Sequence, residues 1–237
     1  MILGIYGFQD AGKTMLVEDL VKVLVKKGYK VSSVKHTPHK KSIDCEGKDT
    51  WRHWQAGSDP VVFSSEIETS IIKHHKMPAD EIGRLVQEFF NADIIIIEGF
   101  KEGSFPKVAV GDVKPRKGTA LVNPTLPRLV RWIEQELSVE RVLKRLPGLD
   151  CQKCGLDCIG LARAVAAGKR RLEDCSELPT TLVDVRVGGE RLAMGKFASA
   201  VVEDTVHGLL SSLKGYESGK EVEIRLEGKR RISKRRR

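Results

Sequence analysis

The sequence predicts a layered α/β fold with a mainly parallel sheet, and three observations predict it. The apolar stretch Ile2-Leu3-Gly4-Ile5-Tyr6 runs into Gly7-Phe8-Gln9-Asp10-Ala11-Gly12-Lys13-Thr14, and an amphipathic segment from Met15 to Lys26 follows. Ile94-Ile95-Ile96-Ile97 is an unbroken β-branched run, the pattern of a strand buried on both faces. Strand-like and helix-like segments alternate along the first two thirds of the chain.

Each element has a local reason. Gly28 ends the first helix, and Tyr29–Val34 reads as the second strand. A polar stretch from Lys35 to Asp59 is rich in His, Lys, Asp and Gly, with helical turns around Trp51–Ala56. Pro60–Ser64 and Thr69–Lys73 are short strands, and Pro78-Ala79-Asp80-Glu81 opens a helix through Phe90. The buried strand Ala92–Ile97 comes next, then strands at Pro106–Val110 and Thr119–Val122, and a helix over Pro127–Leu137 with proline in its first turn. Composition changes at Pro147-Gly148. Leu161–Arg171 reads as a helix, Leu182–Val187 as a strand closed by Gly188-Gly189, Phe197–Leu213 as a helix and Glu221–Leu226 as a last strand. The expected organisation is a nucleotide-binding domain at 1–145, a four-cysteine module at 146–178, a small α+β segment at 179–228 and a disordered basic tail at 229–237.

Gly7 to Thr14 spell G-x-x-x-x-G-K-[ST], the phosphate-binding loop, in the strand–loop–helix context the motif requires. The fold expected is therefore the three-layer sandwich of phosphate-loop NTPases. Glycines let backbone N–H groups turn toward an anion, and the helix N-terminus adds partial positive charge. Gly7, Gln9, Asp10, Ala11, Gly12, Lys13, Thr14 and Met15 form the expected nucleotide cradle. Lys13 reaches the β- and γ-phosphates, and Thr14 offers a hydroxyl to Mg²⁺. In such proteins a buried strand ends in an acid that serves the metal. Here that acid is Glu98, expected to bind Mg²⁺ through water or to orient an attacking water. Lys13, Thr14 and Glu98 are the expected catalytic set.

Hydrophobic residues make up 41% and charged residues 31% of the 237, a globular balance. No apolar run reaches the length of a membrane span, and no signal peptide precedes the first strand, so a cytoplasmic protein without a membrane partner is expected. The net charge of +9 is concentrated: Lys229 to Arg237 carry seven positive charges, and the remainder stands at +2. The tail is either a solvated end or a contact for RNA, DNA or an acidic partner, and it lacks interleaved aromatics for base stacking.

Lys35, His36, Arg52 and His53 could surround an anion, Asp44 and Asp49 could add to a Mg²⁺ shell, and the stretch could order on nucleotide binding. His74 and His75 fall outside any motif and read as surface, and Cys45 reads as an incidental thiol. Taken together, Gly7–Thr14, Val34-Lys35-His36-Thr37, Gly47-Lys48-Asp49-Thr50-Trp51-Arg52-His53 with Ala56-Gly57, and Ile95-Ile96-Ile97-Glu98-Gly99-Phe100-Lys101 resemble the molybdopterin-guanine dinucleotide biosynthesis adaptor family, MobB. The resemblance implies GTP binding with Mg²⁺ and weak GTPase activity. It implies nucleotide contacts from Lys35, His36, Asp49, Arg52 and His53, and a role beside the molybdenum cofactor guanylyltransferase and molybdoenzyme apoproteins, in a homodimer. Gln9, Asp10 and Met15 depart from the residues usual in the family. No NKxD-type guanine loop is evident, and Asn123-Pro124 is the candidate base contact, so GTP over ATP rests on the resemblance. With no arginine finger or positioned glutamine evident, hydrolysis should be slow unless a partner stimulates it.

Cys151-x2-Cys154-x3-Cys158-x16-Cys175 gathers four of the five cysteines within one short segment. Four thiolates at such spacing suit one tetrahedral ion or one cubane cluster. Residues 146–175 resemble the small [4Fe–4S] module of corrinoid iron–sulfur proteins, although that module usually spaces its second and third cysteines by four residues. A [4Fe–4S] cluster is the first expectation and Zn²⁺ the alternative. The function expected is a GTP-binding accessory protein of molybdenum cofactor biosynthesis carrying a metal cluster. The alternative is an iron–sulfur electron-transfer or redox-sensing protein gated by its nucleotide domain.

Overall fold

In the computed structural model, which describes residues 1–179, 183–217 and 219–224, the chain divides into two units, 1–141 and 142–237. The first opens with β1 (Ile2–Gly7), α1 (Lys13–Lys26) and β2 (Val31–Lys35). α2 (Asp49–Gln55), a hairpin of β3 (Val61–Ser64) and β4 (Thr69–Ile72), and α3 (Ala79–Phe90) follow. β5 (Ile94–Glu98), β6 (Lys107–Val110), β7 (Thr119–Val122) and α4 (Leu126–Arg145) complete the unit, with the last turn of α4 assigned to the second. The sheet has the order β2-β5-β1-β6-β7, and every pairing in it is parallel.

The β5 run explains the layering. Successive strand side chains point to opposite faces. Ile94 and Ile96 enter a core with Leu3, Ile5, Leu20, Leu24, Val108, Leu129 and Ile133, where α1 and α4 pack. Ile95 and Ile97 enter a second core with Ala79, Ala92, Phe100 and Phe105, backed by Ile82 and Val86 of α3. Helices on both faces of a parallel sheet are the expected three-layer sandwich. Register brings the carboxyl ends of three strands together: Ile5 pairs with Glu98, and Glu98 pairs with Lys35. In open α/β sheets, ligands bind at this edge.

The second unit holds α5 (Cys158–Ala166), a 3-10 turn at Leu172–Asp174, a hairpin of β8 (Arg186–Val187) and β9 (Glu190–Arg191), and α6 (Lys196–Leu210). Four elements differ from the sequence expectation. α4 runs on from Leu137 to Arg145 because Leu137 and Val139 keep burying and no breaker appears before Pro147. The helix expected over Leu161–Arg171 starts at Cys158 and stops at Ala166, and the chain turns at Gly168. Only Arg186 and Val187 of the Leu182–Val187 segment pair as strand, since a lone hairpin with exposed side chains has no face to bury. Leu182 lies outside the described residues. Glu221–Ile224 form no strand, and the rest of that segment and the basic tail also lie outside the described residues.

Candidate functional site

Gly7 closes β1 where the chain must pass hard against its neighbour. A Cβ at Gly7 would stand 2.2 Å from the Val110 carbonyl oxygen, so glycine is required for β1 and β6 to meet here. Asp10 adopts a left-handed φ of 59°, which short polar side chains tolerate. Gly12, at φ 79°, is the N-cap of α1 and supplies no side-chain cap, and the first turn carries no acid. The opening N–H groups of α1, from Lys13, Thr14 and Met15, thus lack intrahelical acceptors and face outward with the positive end of the helix dipole. Lys13 Nζ donates to the Phe8 carbonyl and so lies over the loop. Gln9 and Met15 are exposed.

Glu98 ends β5 and is 6% exposed. Thr14 Oγ1 donates to its Oε1 at 2.9 Å, and Lys35 Nζ forms an ion pair with the same oxygen. A buried carboxylate needs such partners. Gly99, at φ 92°, turns the chain behind it, and a Cβ there would lie 2.5 Å from the His36 carbonyl. The His36 N–H donates to the Glu98 carbonyl at 2.8 Å, and its ring lies 4.0 Å from that of Phe100. Among the described residues, His36 Nδ1 is buried without a hydrogen-bond partner. The structure therefore brings Gly7, Gly12, Lys13, Thr14, Lys35, His36 and Glu98 to one edge of the sheet.

Other expected residues stand elsewhere. Arg52 approaches Asp49 at 3.9 Å across one turn of α2, and both are well exposed. Among the described residues, no side chain of Asp49, Arg52 or His53 is hydrogen-bonded or ion-paired to the phosphate loop. Asp44 is withdrawn from any Mg²⁺ shell: its Oδ1 accepts from Thr50 Oγ1 at 2.6 Å, and its Oδ2 lies 3.0 Å from His74 Nε2. His74 is not a surface residue. Its side chain is 10% exposed and stacks on Trp54 at 4.1 Å. Asn123 is likewise occupied, with its amide accepting from Gly111 N at 2.7 Å and donating to Gly111 O at 3.2 Å. A Cβ on Gly111 would lie 3.0 Å from that of Ala11. Asn123 thus braces the loop beside the phosphate cradle and is not presented as a base contact.

Sequence reading also passed over Lys107, which is 3% exposed. Its ammonium donates to the Gly103 and Lys117 carbonyls at 2.7 and 3.2 Å and lies over the Phe105 ring. The signal was a lysine opening the apolar strand Lys107-Val108-Ala109-Val110. It ties the loops that flank β6.

In the second unit, Asp157 caps α5 by accepting from Gly160 N at 2.6 Å, which sets Cys158 as the first helical residue. Asp150 Oδ1 accepts from Cys158 N at 2.9 Å, and Lys153 Nζ pairs with Glu177 Oε1 at 2.5 Å. These bonds join the segments that carry the four cysteines. Cys151 is exposed, Cys154 and Cys158 are half-buried, and Cys175 is buried. Burial pushes the Cys175 thiol up, and the negative charge of Cys154, Cys158 and Cys151 adds to the push. Burial also raises the Cys158 thiol. Among the described residues, no three His, Cys, Asp or Glu side chains are placed so that they could hold a metal ion. By its chemistry the donor set nevertheless fits a thiolate-bound metal: four sulfurs on one short segment.

The family model described as "Molybdopterin guanine dinucleotide synthesis protein B" (MobB) matches residues 2–150. The chain belongs to the MobB family. A second model, described as "Putative Fe-S cluster", matches residues 146–176 and spans all four cysteines. A "Putative molybdopterin-guanine dinucleotide biosynthesis adapter protein" of Methanocaldococcus jannaschii is 26% identical across 95% of this chain and 97% of its own length. The Haemophilus influenzae molybdopterin-guanine dinucleotide biosynthesis adapter protein is 36% identical across 45% of this chain and 61% of its own length. The crystal structure of Bacillus subtilis MobB covers 57% of this chain at 22% identity, with a TM-score of 0.44. This MobB-family chain therefore carries Cys151, Cys154, Cys158 and Cys175 beyond the stretch that the MobB model matches. Among the described residues, no helix is long and apolar enough to cross a membrane.

Proposed function

We propose that the chain is a GTP- and Mg²⁺-binding adapter of molybdopterin-guanine dinucleotide biosynthesis, with slow or partner-stimulated GTPase activity and a four-thiolate metal centre, [4Fe–4S] in preference to Zn²⁺. The observation that carries the nucleotide reading is the Thr14–Glu98 hydrogen bond. It joins the first turn of α1 to the end of β5 at the carboxyl edge of the sheet. Lys13 neutralises charge on the phosphates, the first-turn N–H groups of α1 bind phosphate oxygens, and the Thr14 hydroxyl and Glu98 carboxylate hold the divalent ion. Lys35 and His36 border the same edge, and Asp49, Arg52 and His53 would approach it only if the segment around α2 orders on binding. Cys151, Cys154, Cys158 and Cys175 hold the second centre, which when bound supplies either one-electron chemistry or a structural brace.

The relatives' names give an adapter of molybdopterin-guanine dinucleotide biosynthesis, which supports a partner from that biosynthesis; we take it to be the guanylyltransferase, with molybdoenzyme apoproteins as further contacts, a homodimer as the working form and the cytoplasm as the place. Calorimetric titration with GTP and with ATP, each with Mg²⁺, tests the reading. GTP should bind more tightly, and Lys13→Ala should weaken it roughly 100-fold by removing a charge-assisted contact. Equal affinity for ATP and GTP would overturn the GTP assignment.

A further inference from the structure

We propose that His74 is a positioning residue for the nucleotide site: by clasping Asp44 and Trp54 it fixes α2 to the β3–β4 hairpin, so that Arg52 reaches the nucleotide phosphates as part of one preformed body. The proposal rests on the reading of Arg52 as a nucleotide contact and says what places it.

α2 is too short and too exposed to hold its own position. It has seven residues, none of them buried, and its N-cap, Lys48, makes no side-chain cap. Isolated helices of that length are marginal in water. What holds α2 is a polar network. Thr50 Oγ1 donates to Asp44 Oδ1 at 2.6 Å, and His74 Nε2 lies 3.0 Å from Asp44 Oδ2. The His74 ring stacks on Trp54 with centroids 4.1 Å apart and 9° between the planes. The side chains of Asp44 and His74 are 3% and 10% exposed. Both oxygens of this dry carboxylate are taken, and freeing either would leave a costly unpartnered group. Among the described residues, His74 Nδ1 is buried without a hydrogen-bond partner, so the bond to Asp44 is the polar anchor of the ring. A second, looser tie stands at the other end of the helix, where His75 Nδ1 lies 3.6 Å from Asp59 Oδ2. The adjacent histidines that follow β4 thus reach the chain before α2 and the chain after it.

The helix geometry gives the clasp its direction. Thr50 and Trp54 are four residues apart and share one face of α2, while Arg52 stands about 200° round the helix from Thr50. Gripping the first face turns Arg52 to the opposite one, where it is exposed. Residues 37–43, which lead from the phosphate edge to Asp44, are exposed throughout. An exposed connection rearranges at low cost, whereas the clasp is buried. The segment from 44 to 75 therefore moves as one piece when it orders on a nucleotide, with Arg52 already set on its outer face.

The test titrates full-length protein with GTP in the presence of Mg²⁺ by calorimetry. Arg52→Ala should weaken binding roughly tenfold, as loss of a charge-assisted contact does. His74→Phe keeps a ring on Trp54 but gives Asp44 no donor, and should weaken binding to a similar extent. His74→Gln offers an amide N–H to Asp44 and should recover most of the loss. The double variant decides: His74→Phe with Arg52→Ala should bind no more than about twofold more weakly than Arg52→Ala alone, because the histidine acts through the arginine. The thermal transition of residues 1–141 reports whether each variant is folded during the titration. Trp54→Leu, which removes the stack and leaves the oxygens of Asp44 partnered, runs the same cycle should His74→Phe not fold. A histidine that serves stability alone would lower that transition with GTP affinity unchanged, or would lose affinity additively with Arg52→Ala. Either result overturns the positioning, as does unchanged affinity in Arg52→Ala, and each leaves the nucleotide reading standing. Failure of the unsubstituted protein to bind GTP, or binding by Lys13→Ala as tight as its own, would overturn the nucleotide reading and the positioning with it.

Discussion

Residues 1–141 bury four consecutive isoleucines, Ile94 to Ile97, at 0% exposure between two apolar clusters. Residues 142–237 bury Leu146, Leu161, Ala162, Leu172 and Cys175, while Ile159, Phe197, Leu209 and Leu213 stand exposed. The first unit has the apolar burial that sustains a domain, so its loops are free to serve a ligand. Among its described residues the second buries few apolar side chains and instead concentrates four thiols, as small domains do when a metal supplies the missing stabilisation. One unit binds because it is folded, and the other is expected to fold because it binds.

The largest expected effect breaks that contrast on the second side. Cys154→Ser, or removal of the metal by a chelator, should unfold residues 146–176 and leave the parallel sheet intact. Structural thiolate sites can be worth about 10 kcal/mol of folding free energy. Limited proteolysis with hydrogen exchange would read it, and equal protection of both units after stripping would refute the contrast. Next, Ile96→Ala should destabilise the first unit by about 2–5 kcal/mol and leave the chelator sensitivity of the second unchanged. Calorimetry resolving the two transitions would check it. Smaller again is Gly7→Ala, which adds a methyl against the Val110 carbonyl. It should cost about 1–3 kcal/mol, with a loss of nucleotide affinity larger than that change in stability explains. A wild-type Kd in a destabilised Gly7→Ala would show that the cradle does not need the close approach.

The fold of the first unit was legible because its signals are local and redundant. The phosphate loop, the isoleucine run and the strand–helix alternation agree, and the sheet that forms places Gly7, Lys35 and Glu98 at one edge as their positions at strand ends suggest. The cysteine spacing was legible for the same reason. What could not be read depends on contacts distant in sequence. His74 looked like surface because its partners, Asp44 and Trp54, come from a polar stretch with no periodicity to place it. Asn123 looked available because nothing local shows that Gly111 will occupy both ends of its amide. Glu177 carries no motif, and its ion pair with Lys153 forms only when two segments distant in sequence meet. The weak hairpin at Arg186–Arg191 fell short of its predicted strand because alternation without a face to cover does not hold a ladder.

Lys35 gives Glu98 a property that neither residue has alone. The ammonium is largely in solvent, with its side chain 63% exposed, while the carboxylate beneath it is 8% exposed. The acid therefore never stands as an uncompensated anion in a dry place, and a divalent ion reaching it would do so by ion exchange, one cation leaving as another arrives. Such a site discriminates by the difference between two hydrated cations, and its occupancy should follow monovalent salt only weakly. Lys35→Met removes the resident cation. In that variant Mg²⁺ alone should bind more tightly than in the unsubstituted protein, measured by Mn²⁺ competition. An unchanged affinity would mean that the ammonium does not guard the carboxylate.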